Sequence, residues 1–187
     1  NIVHVDGSVN PVRDKEIIDI ELQLKDLETI ESRISKVQKQ AAAGDKQAKA
    51  LFDIYTLYKE ALLQGKSART VKLDPLDKKL VKDLYLLTDK PVMYVCNVDE
   101  SSAVNGNAYV EAVREAVKDE GAEILVVAAA TEADIAELET YDERQMFLEE
   151  VGLKESGVAR LIRAAYHLHD LQTYFTCGVQ EVRAWTF

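Results

Sequence analysis

The sequence predicts an α/β protein in which part of a doubly wound parallel sheet accompanies an antiparallel helical hairpin. Two apolar runs, 92–96 and 124–128, are bounded by helix breakers and separated by a helical pattern, which is typical of buried parallel strands. Two long helical stripes joined by a short turn predict the hairpin. With 187 residues, 47% of them hydrophobic, the chain can form one substantial domain or two small ones.

The helical hairpin is predicted over residues 14–65. Apolar residues spaced three and four apart predict a packed face on each helix. Gly44 suits the end of the first helix, and Asp45 suits the N-cap of the second. Because such narrow faces do not stabilise a helix alone, we expect them to pack on each other. The first face comprises Ile17, Ile20, Leu24, Leu27, Ile30, Ile34, Val37 and Ala41, and the second comprises Ala48, Leu51, Tyr55, Tyr58 and Leu62.

Further elements follow from local patterns. Asp74 and Pro75 mark the start of a helix that we expect to continue to about Leu87. The remaining predicted helices cover about 107–118, 132–138, 143–150 and 157–169. The remaining predicted strands are a short one at 2–5 and a β-hairpin formed by 172–178 and 181–187.

Composition excludes some classes of function. The formal net charge of -10 argues against the surface as a whole binding nucleic acid, because phosphate binding needs a basic patch. Two cysteines are too few for a disulfide framework, so we expect a reduced, cytoplasmic protein. No apolar run approaches the ~18 residues of a membrane helix, so we expect no membrane partner.

Four lysines near the predicted hairpin tip allow two interpretations. Lys36, Lys39, Lys46 and Lys49 are either a solvated surface or a contact with RNA. The sequence favours the solvated surface, because Asp45 and the overall acidity weaken the local field.

The tetrapeptide Asn97-Val98-Asp99-Glu100 directly follows the strand 92–96, and ligands of open α/β sheets bind at the carboxyl ends of strands. GTPases place Asn-Lys-x-Asp here, where the Asp accepts hydrogen bonds from guanine and the Asn orders the loop. Adenine offers neither of those two donors, so a carboxylate placed for guanine rejects it. In this chain Val98 and Glu100 replace the Lys and the Asp. Taken alone, such a tetrapeptide is more often a polar loop or a helix cap.

Three alanines, Ala128, Ala129 and Ala130, follow the second buried strand. GTPases use a loop of small residues here, because small side chains let backbone N–H groups approach the base. Alone, these alanines would be interpreted as packing at a strand end. Two such loops on successive strands are stronger evidence for a base-binding site than either loop by itself.

Nearly the whole chain resembles the YchF subfamily of the Obg-related P-loop NTPases. The resemblance rests on several separated blocks, of which the most specific, 171–178 and 181–186, resemble the opening strands of a TGS domain. The other blocks are Asn10-Pro11 with the helix that follows, 88–94 leading into Asn97-Val-Asp-Glu100, and 132–138. The resemblance implies a nucleotide-domain strand at 1–10, a helical coiled-coil insertion at 11–70, the remainder of the nucleotide-binding domain at 71–169 and the start of the TGS domain at 170–187.

This resemblance implies an ATPase that binds ATP in preference to GTP and associates with the large ribosomal subunit, with RNA contact as one option. It also implies that Asn97 orders the base-binding loop, that Val98 lies against the base and that Glu100 no longer enforces guanine. The residues Ala128, Ala129 and Ala130 match the second base loop.

The sequence departs from the family pattern, because the glycine-rich phosphate loop and the magnesium-binding switch segments are absent from these residues. We therefore assign no catalytic residue and no metal ligand here, and Mg²⁺ is implied only through residues outside the chain. Backbone amides, Lys and Mg²⁺ supply most of the stabilisation in phosphoryl transfer, so these residues alone are expected to be inactive. Strand-like runs at both ends lead us to expect a piece of a larger protein. The alternative is a non-catalytic interaction module that docks a ribosomal or protein partner through the hairpin and the TGS-like strands.

Overall fold

The computed structural model describes residues 7–187, and the chain divides into two compact units, one reaching to Pro91 and the other starting at Val92. The predicted strand at 2–5 lies outside the described residues. Residues 71–91 belong to the first unit by their contacts. The assignment of 71–169 to a nucleotide-binding domain stays a prediction.

Two antiparallel helices dominate the first unit. Helix α1 (Pro11–Ala42) and helix α2 (Lys46–Leu63) are joined by residues 43–45. Asp45 caps α2, because its carboxylate accepts a hydrogen bond from the Ala48 amide at 2.8 Å. Near the other end of α2, the Gln23 side-chain amide donates to the Gly65 carbonyl at 3.1 Å, which shows that the helices run in opposite directions. The predicted hairpin is confirmed.

The predicted apolar face of α1 is only partly right. Ile17, Ile20 and Leu24 are each about half exposed, whereas Gln23 and Asp26 are buried. The reason is the difference in helix length. At about 1.5 Å per residue, 32 residues of α1 span about 48 Å and 18 residues of α2 about 27 Å, so the first turns of α1 have no facing helix in the hairpin. The buried cluster of the unit forms where the helices overlap; it comprises Ile30, Ile54, Tyr55, Tyr58, Leu62, Ala68, Val81, Leu84 and Leu86.

The helix predicted from Asp74 to about Leu87 is much shorter in the structure. Helix α3 covers only Pro75–Leu80, and its predicted cap is present because Asp74 accepts hydrogen bonds from two amides of its first turn. A 3₁₀ turn follows, and Tyr85 has a positive φ of 49°. Beyond it, the amides of Leu87 and Thr88 donate to the buried carboxylate of Asp26 at 2.7 and 2.8 Å. These two amides therefore donate to the side chain of Asp26 and not to backbone carbonyls of a continued helix.

The second unit contains two separate two-stranded sheets. Strand β1 (Met93–Asn97) pairs in parallel with β2 (Glu123–Val127), and helix α4 (Ala108–Val117) connects them. Helices α5 (Ala129–Glu137), α6 (Tyr141–Glu150) and α7 (Gly157–Leu168) follow. Strands β3 (Thr173–Cys177) and β4 (Val182–Thr186) form the predicted antiparallel hairpin. The α/β class, the parallel pair and the β-hairpin are thus as expected.

The burial predicted for the first strand is wrong for these residues. Strand β1 was expected to be covered on both faces, but Val95 is 50% exposed and Met93, Tyr94 and Cys96 are only partly buried. Burial on both faces requires helices packed on both sides of the sheet. The core of this unit lies instead among α4, β2, α5 and α7, where Val110, Val117, Leu125, Val126, Ile135 and Ala164 are buried.

Candidate functional site

The two segments that the sequence singles out lie next to each other, at the carboxyl ends of β1 and β2. Asn97 closes β1, and its side-chain oxygen accepts a hydrogen bond from the Ala129 amide at 3.0 Å. The Val98 amide donates to the Val127 carbonyl at 2.9 Å, which extends the ladder by one step past β1. Two hydrogen bonds therefore fix the loop after β1 to the segment after β2.

A short turn presents Glu100 to solvent. Residues 100–102 form a 3₁₀ turn whose N-cap, Asp99, accepts hydrogen bonds from the Ser102 amide and the Ser101 hydroxyl, both at 2.9 Å. Hydrogen bonds from Ser102 and then Ser101 hold the pKa of Asp99 below its usual value, because they stabilise the carboxylate. Glu100 itself is exposed, and no partner for its carboxylate is found among residues 7–187. The sequence prediction gave no role to Asp99. An Asp at the N-cap of a helical turn accepts a hydrogen bond from an amide about three residues later, and this spacing could have identified Asp99.

The three alanines differ from the expected loop. Ala128 is buried and is the N-cap of α5, while Ala129 and Ala130 are exposed and form the start of the helix. The predicted loop is thus the N-terminus of a helix, and the helix starts three residues earlier than predicted. The first amides of a helix have no partner within it, so Ala130 and Thr131 present N–H groups at this edge. Thr131 is also buried, and its hydroxyl has no hydrogen-bond partner in the described part of the chain.

The first turn of helix α7 is hydrogen-bonded to helix α5. The carboxylate of Glu132 accepts hydrogen bonds from the amides of Gly157 and Val158, the first two residues of α7, at 2.5 and 3.2 Å. Arg160 donates from Nη2 to the carbonyl of Val126 on β2 at 2.6 Å. Hydrogen bonds of the charged side chains Glu132 and Arg160 therefore connect α7 to α5 and to β2.

Known proteins resemble the chain along its entire length. The ribosome-binding ATPase YchF of Bacillus subtilis (strain 168) is 51% identical over 189 residues, and that of Escherichia coli O157:H7 is 48% identical over 186 residues. The solved structure of the Schizosaccharomyces pombe YchF GTPase matches with a TM-score of 0.86 at 28% identity. The chain is homologous to YchF proteins. No model of a protein family matches the chain.

The alignments cover 100% of this chain and 51% of each of these three YchF proteins. The chain therefore spans about half the length of the YchF relatives it matches. The bacterial YchF proteins are described as ribosome-binding ATPases and the Schizosaccharomyces pombe protein as a GTPase.

The residues at this edge combine an apolar surface with a few polar groups. The partly buried Val98 is apolar, the start of α5 offers backbone donors beside small side chains, and Glu100 offers an acceptor. An apolar surface with a few placed donors and acceptors is what a flat heterocycle requires.

A Gly-Lys-Ser tripeptide occurs at residues 65–67, but it is not a phosphate loop. Glu60 stands where the first glycine of the motif would be, and Gly65 follows the end of α2. A phosphate loop instead lies between a strand and the N-terminus of a helix. Among residues 7–187, no group of three His, Cys, Asp or Glu side chains is placed to hold a metal ion, and no described helix is long and apolar enough to cross a membrane.

Proposed function

We propose that the protein containing these residues is a YchF-type ATPase that binds ribosomes in the cytoplasm, and that these residues hold the base of ATP. The observation that carries this proposal is the hydrogen bond from the Ala129 amide to Asn97. It joins the segments after two parallel strands, which is where ligands of open α/β sheets bind. The names of the bacterial relatives support ATP as the substrate and the ribosome as the partner.

Each residue has a distinct role in the proposed site. Asn97 orders the loop through its bond to Ala129, and Val98 lies against the face of the base. Ala128, Ala129 and Ala130 let the backbone of α5 approach the base closely. Glu100 extends one methylene further than an Asp, and no partner among residues 7–187 holds it against a guanine. A site without a fixed guanine acceptor no longer rejects adenine, so we propose that ATP binds more tightly than GTP.

The phosphates and Mg²⁺ are proposed to bind residues outside this chain. When bound, Mg²⁺ neutralises charge that develops on the phosphates during transfer. Among residues 7–187, no group of three His, Cys, Asp or Glu side chains is placed to hold a metal ion. We therefore propose that the 187 residues alone do not hydrolyse ATP.

The ribosome-binding part of the proposal concerns other elements. The hairpin of α1 and α2 and the strands β3 and β4 carry exposed surface that the nucleotide site does not use. We propose that β3 and β4 begin a TGS domain and that these elements contribute to docking on the large ribosomal subunit.

A double-mutant cycle in the full-length protein tests the nucleotide site. Asn97→Ala removes the acceptor, and Ala129→Pro removes the donor at the first helical position, which tolerates proline. We expect each variant to weaken ATP binding in calorimetry by roughly tenfold, the equivalent of one hydrogen bond. The double variant should be no weaker than either single one, because all three lack the same bond.

Glu115→Ala, on the exposed face of α4, is the matched control and should bind ATP like the wild type. Additive losses in the double variant would show that the bond does not organise the site. Tighter binding of GTP than of ATP by the wild type would contradict the proposed specificity.

A further inference from the structure

The acidity of the chain is confined to one of its two units. Residues 1–91 contain 16 Lys and Arg against 15 Asp and Glu, whereas residues 92–187 contain 7 against 18. The helical unit therefore has a formal charge of +1, and the net charge of -10 arises from the other unit, whose formal charge is -11. The overall acidity consequently gives no reason to exclude a basic surface on the hairpin.

The end of the hairpin farthest from Gly65, here called the tip and defined as residues 36–49, is such a surface. Its four lysines, Lys36, Lys39, Lys46 and Lys49, are all exposed, and no ion-pair partner is found for them in the described range 7–187. Other cations along the same helices are paired, as in Lys15–Asp19, Lys59–Glu31 and Arg33–Asp83. On each helix the two lysines are three residues apart and so share a face.

The single acid of the tip does not offset this charge by an ion pair. The carboxylate of Asp45 accepts a hydrogen bond from the Ala48 amide, as a helix cap. Lys46 and Lys49 lie in the first turn of α2, where the helix dipole disfavours positive charge. The chain thus places two cations where local electrostatics opposes them, and an anionic partner would compensate for that cost.

We propose that the tip docks on the phosphate backbone of ribosomal RNA; this inference rests on the proposed ribosome binding. The four exposed ammonium groups provide positive charge for phosphates, and their binding releases condensed counterions. The end of α1 and the turn that follows it contain Ala41, Ala42, Ala43 and Gly44, and such small side chains permit close approach to a backbone. The tip offers no aromatic side chain for base stacking, so it binds RNA by its charge.

Sedimentation of the full-length protein with purified ribosomes across a salt series tests this inference. The test variant changes all four tip lysines to Gln, which keeps good helix formers in place. Each lysine–phosphate contact contributes about 0.7 to 0.9 to the slope of log affinity against log salt, so the variant should lose a slope of about 3. From 50 to 200 mM salt, that slope corresponds to a change in affinity of roughly 60-fold.

The matched control changes Lys72, Lys78, Lys79 and Lys82 to Gln. These lysines are exposed and lie in the same unit, and their replacement removes the same charge. Unlike the tip lysines, they are interspersed with several acidic residues. The control should keep the wild-type slope. Equal losses in both variants, or none in the tip variant, would overturn the inference and leave ribosome binding intact. Failure of the wild type to sediment with ribosomes would overturn ribosome binding and the inference together.

Photo-crosslinking tests the partner without changing the lysines. A photoreactive p-benzoylphenylalanine replaces Gln47, which is exposed between Lys46 and Lys49. After irradiation of the full-length protein with ribosomes, the adduct should shrink on treatment with RNase. An adduct that resists RNase and yields a ribosomal protein would overturn the assignment to RNA.

Discussion

Among the glycines of residues 7–187, Gly157 has the least space for an added Cβ. It is buried at the start of α7, and an added Cβ would lie 2.9 Å from both Glu132 Oε1 and Val127 Cγ1. Those two residues belong to α5 and β2, which carry the second segment of the candidate site. The glycine therefore allows α7 to approach the elements that it supports.

We expect Gly157→Ala to destabilise the full-length protein by about 1–3 kcal/mol, because the extra methyl group overpacks this contact. A thermal melt followed by circular dichroism measures the effect. Gly178→Ala is the matched control, since neither glycine has a positive φ and the nearest atom to a Cβ at 178 is 3.7 Å away. Similar melting temperatures for the two variants would show that the contact relaxes at little cost.

Asp26 is a buried acid whose role is structural. Its carboxylate accepts hydrogen bonds from the Leu87 amide, the Thr88 amide and the Thr88 hydroxyl at 2.7 to 2.8 Å. The Thr88 hydroxyl in turn accepts from the Ala68 amide at 2.9 Å. One side chain of α1 thereby fixes two segments that lie outside the hairpin.

We expect Asp26→Ala to cost about 2–4 kcal/mol, because it leaves buried donors without an acceptor. Asp26→Asn should cost less, since its amide oxygen can still accept from an N–H group. Urea unfolding of the full-length protein distinguishes the two variants, with Asp53→Ala on the exposed face of α2 as the control. Equal stability of Asp26→Ala and the control would rule out this structural role.

At the scale of an element, the contact between α1 and α2 depends on neutral tyrosines. Burial, and then the charge of Asp89, raises the pKa of Tyr58 to about 12. A raised folded-state pKa means that folding favours the protonated phenol. Its contribution to stability is therefore complete below the unfolded-state pKa of about 10 and is lost as pH rises from there through 12.

We expect the helical signal of the full-length protein to become less stable to urea between pH 10 and about 12. Tyr58→Phe lacks the ionising group and should lose less stability over the same range. Circular dichroism at 222 nm in a urea series at each pH measures both. Identical pH dependence in the two proteins would show that Tyr58 does not ionise with unfolding.

Elements defined by local signals could be predicted from the sequence, and elements limited by distant contacts could not. The caps at Asp45 and Asp74 were predicted because capping involves residues two or three positions away. The early end of α3 was not predicted. The Leu87 amide, which was expected to be helical, donates instead to Asp26, a residue 61 positions away. The exposure of Ile17, Ile20 and Leu24 was missed because all apolar positions of the first helix were assigned to one packed face, although the partner helix is shorter.

The candidate site shows the same division. Asn97 and the segment 128–130 were singled out because they follow strands, and the structure places them within hydrogen-bond distance. The helical conformation at Ala129 and Ala130 was missed because alanine is compatible with both a loop and a helix. Support from Glu132 and Gly157 depends on a contact across 25 residues, which no local pattern reports.

For the whole molecule, the two units carry different parts of the proposed activity. We expect a polypeptide of only these 187 residues to show no ATP hydrolysis above the buffer rate, since the proposed phosphate and Mg²⁺ ligands lie outside it. A phosphate-release assay beside the full-length protein checks this expectation. Hydrolysis by the shorter polypeptide that Asn97→Ala abolishes would contradict it and would require a phosphate site within this chain.

The network around Asp26 has a kinetic consequence. The amides of Leu87 and Thr88 belong to no regular element, and such amides usually exchange with solvent within seconds to minutes. Here their protons point at a buried carboxylate on α1, so they become accessible to deuterium only when that part of the hairpin opens. Hydrogen exchange should therefore give this loop the protection of the helix that holds it, and the two should open together as one cooperative unit.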